Sequence, residues 1–235
     1  MAKGNLYLIP VPLGNEKPED SLPASTLHII KTLRCFVVED IRTARRFLRS
    51  AGYTGDFSDI TFHILNEHTG QASIPQLLND TLQGADTGLL SEAGAPCVAD
   101  PGALLVSEAH NKNIKVVPLN GPSSILLALM ASGFNGQQFC FHGYLPVKDP
   151  ARKNKIREIE AEIYRKNQTQ IFIETPYRNL QVLKSLIETC RDDTMLSIAC
   201  NFGTRDQWIT TKPISWWKKN EPAFHKKPAV FLLYY

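Results

Sequence analysis

The sequence predicts an α/β protein with an N-terminal domain built on a mostly parallel sheet with flanking helices, followed by a mixed-sheet α+β domain. Short apolar runs alternate with amphipathic stretches through the first half, a pattern typical of a parallel sheet covered on both faces. The alternation stops at residues 118–122, a segment rich in proline and glycine. Helices and strands then follow in mixed order. We therefore place the domains at residues 1–118 and 119–235.

Five short apolar runs predict the strands of the first domain. They lie at residues 6–9, 35–38, 60–64, 87–90 and 114–117. The stretches between them have the spacing of helices that cover a sheet. These predicted helices lie at residues 23–33, 41–51, 72–84 and 103–112.

The second domain is predicted to begin with a helix, because Gly121 suits a cap, Pro122 suits the first helical position, and residues 123–132 are small and apolar. The rest of the domain mixes both kinds of element. Its predicted helices lie at residues 150–166 and 178–190, and its predicted strands at 170–174, 195–200, 206–211 and 228–235.

The composition is that of an ordinary globular protein, with 43% hydrophobic and 21% charged residues among 235. A net charge of +3 permits a polyanionic partner without demanding one. The five cysteines lack a CxxC pair and the six histidines are dispersed, so we expect no disulfide frame and no metal site. Neither a signal-peptide pattern nor a bilayer-length apolar run is seen, which predicts a cytoplasmic protein without membrane contact.

The ends of the predicted strands are the expected ligand site, because open parallel sheets bind ligands at the carboxyl ends of their strands. The first strand runs into residues 10–15, where two prolines and a glycine indicate a tight loop. The fourth runs into residues 91–102, whose small side chains let a backbone approach a ligand closely. Residues 121–124 offer amides and hydroxyls that suit an anion, with ordinary serine capping as the alternative.

Four arginines recur on one face of a predicted helix and indicate contact with phosphate. They are Arg42, Arg45, Arg46 and Arg49. Arginine binds phosphate through two parallel hydrogen bonds, which lysine cannot do. A second basic region lies at residues 152–166. We therefore predict RNA contacts at the four arginines, and a solvated charged face is the alternative.

Several segments, taken in order along the first two thirds of the chain, resemble one known family. They are PVPLGN at 10–15, EDIRTAR at 39–45, NEH at 66–68, SEAGAPCVADPG at 91–102 and VPLNGPSS at 117–124. This set resembles the RsmI-type branch of the tetrapyrrole methylase superfamily. We expect a short, divergent member, because Glu92, Ala95 and Cys97 differ from the branch, and residues 201–207 read like the wider superfamily.

The resemblance implies the two-domain tetrapyrrole methylase fold, with S-adenosylmethionine bound in a cleft between the domains. It also implies methylation of a cytidine ribose 2′-hydroxyl in small-subunit ribosomal RNA, and a homodimer. Its motifs carry cofactor contacts onto eleven positions of this sequence. These are Pro10, Gly94, Ala95, Val98, Ser123, Ser124, Glu174, Thr175, Asn201, Pro228 and Ala229.

Methyl transfer to a ribose hydroxyl requires alignment of the reactants and removal of a proton, but no metal. The candidate bases are the acidic and histidine side chains expected near strand ends. They are Glu39, Asp40, Glu67, His68 and Glu92. For Glu39 and Asp40 the alternative is helix capping and pairing with Arg42 and Arg45.

Two other functions stay open at this point. Residues 201–207 favour methylation of a small tetrapyrrole-like molecule. The altered second domain also leaves room for a non-catalytic module that binds an adenosyl cofactor or RNA.

Overall fold

The computed structural model describes residues 2–235, and the chain divides into two compact units. The first unit ends at Ser123 and the second covers Ser124–Tyr235. Among the described residues, no helix has both the length and the apolar character needed to cross a membrane.

The first unit is built on a five-stranded sheet in which every pairing is parallel. Its strands are β1 (Asn5–Ile9), β2 (Cys35–Val38), β3 (Thr61–Ile64), β4 (Thr87–Leu90) and β5 (Lys115–Pro118). The order across the sheet is β3-β2-β4-β1-β5. β2 and β4 are buried along their whole length, because helices cover both faces. The predicted parallel sheet is therefore confirmed.

Three of the four helices predicted for the first unit are confirmed, one differs in form, and a further one-turn helix at Pro18–Ser21 was not predicted. They are α1 (Pro18–Ser21), α2 (Ala24–Thr32), α3 (Ile41–Ser50), α4 (Asn79–Leu82) and α5 (Gly102–Asn111). The α-helix predicted at residues 72–84 is wrong in form. A 3₁₀ segment, Gln71–Leu78, occupies most of it and only the one-turn α4 follows. Pro75 lies inside the segment and lacks the N–H that a continuous α-helix needs.

The second unit contains a mixed sheet, as predicted, but with five strands where four were expected. Its strands are β6 (Phe139–Tyr144), β7 (Thr169–Glu174), β8 (Met195–Cys200), β9 (Trp208–Pro213) and β10 (Ala229–Tyr234), in the order β6-β7-β10-β8-β9. Only the β6–β7 pairing is parallel within this sheet. The helices are α6 (Ser124–Ser132), α7 (Ala151–Lys166), α8 (Asn179–Thr189) and α9 (Ile214–Trp217).

Strand β6 was not predicted, for a physical reason. It is an edge strand that is buried at none of its positions, so its sequence lacks the continuous apolar run of a central strand. The core of the first unit lies on both faces of its sheet. Phe36 and Val38 of β2 pack on one side, and the intervening Val37 packs on the other.

Candidate active site

The loops that follow β1 and β4 are joined by an isolated backbone bridge. The N–H of Val11 donates to the Gly94 carbonyl at 2.9 Å, and the N–H of Gly94 donates to the Val11 carbonyl at 2.8 Å. Gly94 has a φ of 74°, and a Cβ added there would lie 3.0 Å from Leu13 Cδ2. The bridge therefore needs glycine at this position.

The segment after β5 joins the same pair of loops. A Cβ on Gly121 would lie 2.2 Å from Pro10 Cγ, so the Pro10 ring packs directly against the glycine backbone. The carbonyl oxygen of Pro122 lies 3.7 Å from where a Gly94 Cβ would stand. Three strand-end segments singled out in the sequence thus come together within the first unit.

The loop of residues 91–102 is held in a strained shape by one carboxylate. Both oxygens of Asp100 accept from the Cys97 N–H, at 3.0 and 2.9 Å, and Oδ1 accepts from Gly102 N–H at 2.8 Å. Cys97 and Ala99 have φ values of 67° and 63°. Left-handed non-glycine residues cost about 1–3 kcal/mol each, and such strain clusters at ligand sites. No local sequence pattern predicts this organising role of Asp100, because its partners are backbone N–H groups of a loop fixed by folding.

The expected cofactor residues of this region differ in exposure. Pro10 and Gly94 are buried, whereas Ala95 and Ser123 are half-buried. Val98 is 46% exposed, which leaves an apolar side chain open on a fixed loop. Ser124 is the first residue of α6, so this helix begins two residues later than predicted, and Pro122 lies before it.

A shallow, solvent-open recess lies at the carboxyl ends of β2 and β4. Its lining comprises Val11, Val38, Glu39, Asp40, Thr43, Ala44, Phe47, Leu90, Ser91 and Glu92. Three of the five candidate bases are therefore in one place. The other two, Glu67 and His68, follow edge strand β3 on the surface and are not part of this lining.

Asp40 is the cap of α3. The Thr43 N–H donates to Asp40 Oδ1 at 2.8 Å, and this bond is the main cause that lowers the pKa of Asp40. The Thr43 hydroxyl also lies 2.7 Å from Glu92 Oε1, so it links two of the candidate carboxylates. A carboxylate stabilised in its charged form is a weak proton acceptor. Asp40 therefore caps the helix, which is the alternative to a catalytic base that the sequence offered for it.

The pKa of Glu39 is shifted in the opposite direction, upward. Burial is the main cause that raises its pKa, and the charges of Asp100 and Glu92 raise it further, while the backbone N–H of Glu92 acts in the other direction. A general base works best when its pKa lies near the operating pH, and carboxylates reach that range through burial and like charges. Among the recess carboxylates, Glu39 has the environment suited to accepting a proton.

In the second unit, the expected cofactor residues lie side by side at one end of the sheet. Ala229 pairs with both Glu174 and Cys200, which places the ends of β7 and β8 next to the start of β10. The Asn201 N–H donates to the carbonyl of Pro228 at 2.9 Å. Thr175 directly follows β7.

Only one of the two carboxylate oxygens of Glu174 accepts hydrogen bonds. Its Oε1 accepts from the Thr175 N–H at 2.6 Å and from Arg178 Nε at 2.8 Å. Its Oε2 is buried and has no partner within residues 2–235, and the same holds for Asn179 Oδ1. Buried acceptors without a donor are rare in native proteins, so this pair suits a hydrogen-bonding ligand.

The four arginines of α3 are not equivalent. The Arg45 guanidinium lies 5.5 Å from the ring centres of Phe57 and Phe62. Arg49 lies 4.3 Å from the Phe57 ring and donates to the Tyr53 and Gly55 carbonyls at 2.9 and 2.8 Å. Arg42 and Arg46 are exposed, and their side chains make no hydrogen bond or ion pair within residues 2–235. These two are the cations available to a partner.

Comparison with known proteins identifies the relatives of this chain. A family model described as tetrapyrrole (corrin/porphyrin) methylases matches residues 5–215. The ribosomal RNA small subunit methyltransferase I of Vibrio cholerae is 34% identical over 210 residues, covering 89% of this chain and 69% of that protein. The protein of the same name from Buchnera aphidicola subsp. Schizaphis graminum is 28% identical over 234 residues, covering 98% of this chain and 78% of the relative.

A solved methyltransferase structure has the same fold as this chain. The crystal structure of the methyltransferase CobJ matches with a TM-score of 0.65 at 17% identity, covering 98% of this chain and 94% of that one. The family resemblance and the fold class expected from the sequence are both confirmed.

The left-handed glycine at the loop bridge gives a stability prediction. Gly94→Ala should lower the free energy of unfolding by roughly 1–2 kcal/mol, because alanine disfavours a positive φ and would crowd Leu13. Gly70→Ala is the matched control, since a Cβ at that exposed glycine meets nothing within 4 Å. Denaturant unfolding of both variants measures the difference. Equal losses would contradict the assigned role of Gly94.

The raised pKa of Glu39 predicts a pH-dependent effect on stability. The folded protein binds this proton more tightly than the unfolded chain, so the associated stability is present below the ordinary pKa of 4.5 and is lost as pH rises through the raised value. Glu39→Gln should therefore be more stable than the parent at pH 8, with the difference shrinking toward pH 4. Thermal unfolding across this range measures it. The exposed Glu221→Gln should show no such trend.

Proposed function

The chain belongs to the tetrapyrrole (corrin/porphyrin) methylase family, and from this membership we infer that it transfers the methyl group of S-adenosylmethionine to a ribose 2′-hydroxyl of small-subunit ribosomal RNA. The observation that carries the RNA acceptor is the likeness to relatives named as small-subunit ribosomal RNA methyltransferases. The ribose hydroxyl follows from the resemblance of the motifs to the RsmI-type branch.

The residues of the first unit fit the cofactor. Close backbone packing at Gly94 and Gly121 keeps side-chain bulk away from the strand ends, and Val98 offers an exposed apolar surface for a flat group. We assign cofactor contacts in this region to Pro10, Gly94, Ala95, Val98, Ser123 and Ser124. When bound, S-adenosylmethionine supplies an electrophilic methyl group on a sulfonium.

In the second unit we assign cofactor contacts to the neighbouring residues Glu174, Thr175, Asn201, Pro228 and Ala229. The buried, unpartnered Oε2 of Glu174 supports this assignment, because a hydroxyl or amine of a ligand would satisfy it. Arg178 holds the other oxygen of the same carboxylate and so fixes its orientation.

The proposed base is Glu39. Its raised pKa lets it accept the proton of the acceptor hydroxyl as the new oxygen–carbon bond forms and the sulfur–carbon bond breaks. The hydrogen bond from the Thr43 hydroxyl to Glu92 Oε1 joins two residues of the recess lining. Asp40 acts as a helix cap, and the surface positions of Glu67 and His68 make them weaker candidates.

The proposed RNA contacts centre on Arg42 and Arg46, which stand on the helix that supplies part of the recess lining. Arg45 is stacked on aromatic rings in an exposed position and serves as an additional phosphate contact, whereas Arg49 is occupied by backbone carbonyls. The second basic region of the sequence, residues 152–166, is less suited to binding RNA. Its cations largely pair with acidic neighbours, as Lys155 does with Glu158.

A homodimer and a cytoplasmic location remain predictions from the sequence. Sedimentation of the purified protein would test the first of these.

Methyl transfer with a labelled cofactor tests the function and the base together. The parent should label unmodified small-subunit ribosomal RNA, and Glu39→Gln should lower kcat by about 10²- to 10⁴-fold, the usual contribution of a general base. Glu221→Gln is the control and should retain full activity.

Calorimetry with the demethylated cofactor separates binding from catalysis. Labelling of a tetrapyrrole instead of RNA would favour the small-molecule alternative, and cofactor binding without any transfer would favour the non-catalytic one.

Salt dependence tests the arginine assignment. Arg42→Ala and Arg46→Ala should each weaken RNA binding and reduce the slope of log K against log salt by about 1, because each removes one phosphate contact. Lys155→Ala on α7 is the control, since its ammonium is paired with Glu158 at 2.8 Å. Filter binding at several salt concentrations measures the slopes. An unchanged slope in both α3 variants would exclude this surface.

A further inference from the structure

Three side chains with metal-binding chemistry meet in the first unit, away from the recess. Cys35 begins β2, His63 lies in β3 and Asp80 lies in α4. Their Sγ, imidazole nitrogen and carboxylate oxygen all lie within 4.8 Å of one another. Cys35 is three residues before the carboxyl end of β2, roughly 10 Å along the strand, and the cluster shares no residue with the recess lining.

The donor set and its spacing fit zinc. Zinc binds thiolate at about 2.3 Å and imidazole or carboxylate at about 2.0–2.2 Å in tetrahedral geometry, which places neighbouring donor atoms about 3.3–3.6 Å apart. Cys35 Sγ lies 3.7 Å from Asp80 Oδ2, close to that separation. His63 Nε2 lies 2.6 Å from the same oxygen, and all three donor atoms lie within 4.8 Å of one another, so shifts of about 1 Å in the half-exposed His63 and Asp80 side chains are needed to reach zinc spacing.

The surroundings of the cluster support a cation. Thr87 is the cross-strand partner of Cys35, and its hydroxyl lies 2.8 Å from the Thr81 hydroxyl, so a buried pair of hydroxyls lies beside Cys35. Metal ligands in proteins are commonly supported in this way. One thiolate and one carboxylate balance a dication, leaving no net charge in the protein. The side chains of His63 and Asp80 are 26% and 38% exposed, which gives the ion a route from solvent and leaves room for water as the fourth ligand.

A nucleophilic role for the cysteine does not fit. Burial raises the pKa of the Cys35 thiol to about 11, and the side chain is inaccessible to a substrate. The short His63–Asp80 contact also leaves the imidazole committed to the carboxylate and not to the sulfur.

We propose that Cys35, His63 and Asp80 bind a zinc ion whose fourth ligand is exchangeable, and that the ion ties β2, β3 and α4 together. The proposal is independent of the inferred methyl transfer, because the recess contains none of these three residues. Ligand binding to the folded state alone also stabilises that state, so zinc should raise the unfolding temperature of the chain.

The test uses the full chain after metal removal with a chelator. Competition against a chromophoric chelator should give one zinc per chain, and cobalt should produce the near-ultraviolet absorption of a thiolate–metal bond. Cys35→Ser should abolish that absorption. Asp80→Asn and His63→Gln should weaken zinc binding at least about 100-fold, since even residues that only support metal ligands contribute about 10- to 100-fold. Cys140→Ser and His110→Gln are the matched controls and should leave both readouts unchanged.

Circular dichroism verifies that each variant folds. Should the buried Cys35→Ser fail to fold, the half-exposed Asp80→Asn decides the question. Absence of stoichiometric zinc binding by the parent would overturn the proposal and leave a hydrogen-bonded cluster. Binding that survives both Cys35→Ser and Asp80→Asn, or that is lost in Cys140→Ser, would overturn it equally.

Discussion

The close approach of three backbone segments at the strand ends is the constraint on which the candidate site depends. Val11 and Gly94 exchange two hydrogen bonds, and Gly121 lies against the ring of Pro10. A Cβ on Gly121 would overlap the Pro10 ring, and a Cβ on Gly94 would crowd Leu13 at a backbone φ that alanine disfavours. A parallel sheet brings the carboxyl ends of its strands to one edge, and these contacts turn that edge into a fixed surface.

Charge at this edge is arranged so that neighbouring carboxylates have different chemistry. Asp40 accepts a hydrogen bond from a backbone N–H, which stabilises its anionic form. Glu39 is half-buried beside Asp100 and Glu92, which destabilises its anionic form. Two acidic residues adjacent in the sequence are thus separated into a structural and a chemical role. The cost of holding Glu39 in this environment is lost stability when it ionises, and strained or charged functional sites commonly carry such a cost.

The fold could be predicted largely from sequence, because strands buried on both faces, such as β2 and β4, are mostly apolar. The prediction missed β6, an edge strand whose half-exposed positions relax that demand. It also missed the 3₁₀ form of residues 71–78, where packing favours a helical path that the internal proline prevents from being α. For the site, the motifs marked the right strand ends, but the link from Thr43 to Glu92 joins residues 49 apart and has no local signal.

The sequence by itself determined the fold class, the family and the segments that line the strand ends, because periodicity, proline and glycine act locally. Only the tertiary structure decided which side chains share an environment. It distinguished Glu39 from Asp40 through burial, and Arg49 from Arg46 through the aromatic rings and carbonyls that occupy the former. Burial, charge and donor geometry are properties of residues brought together by folding, and chain spacing alone does not encode them.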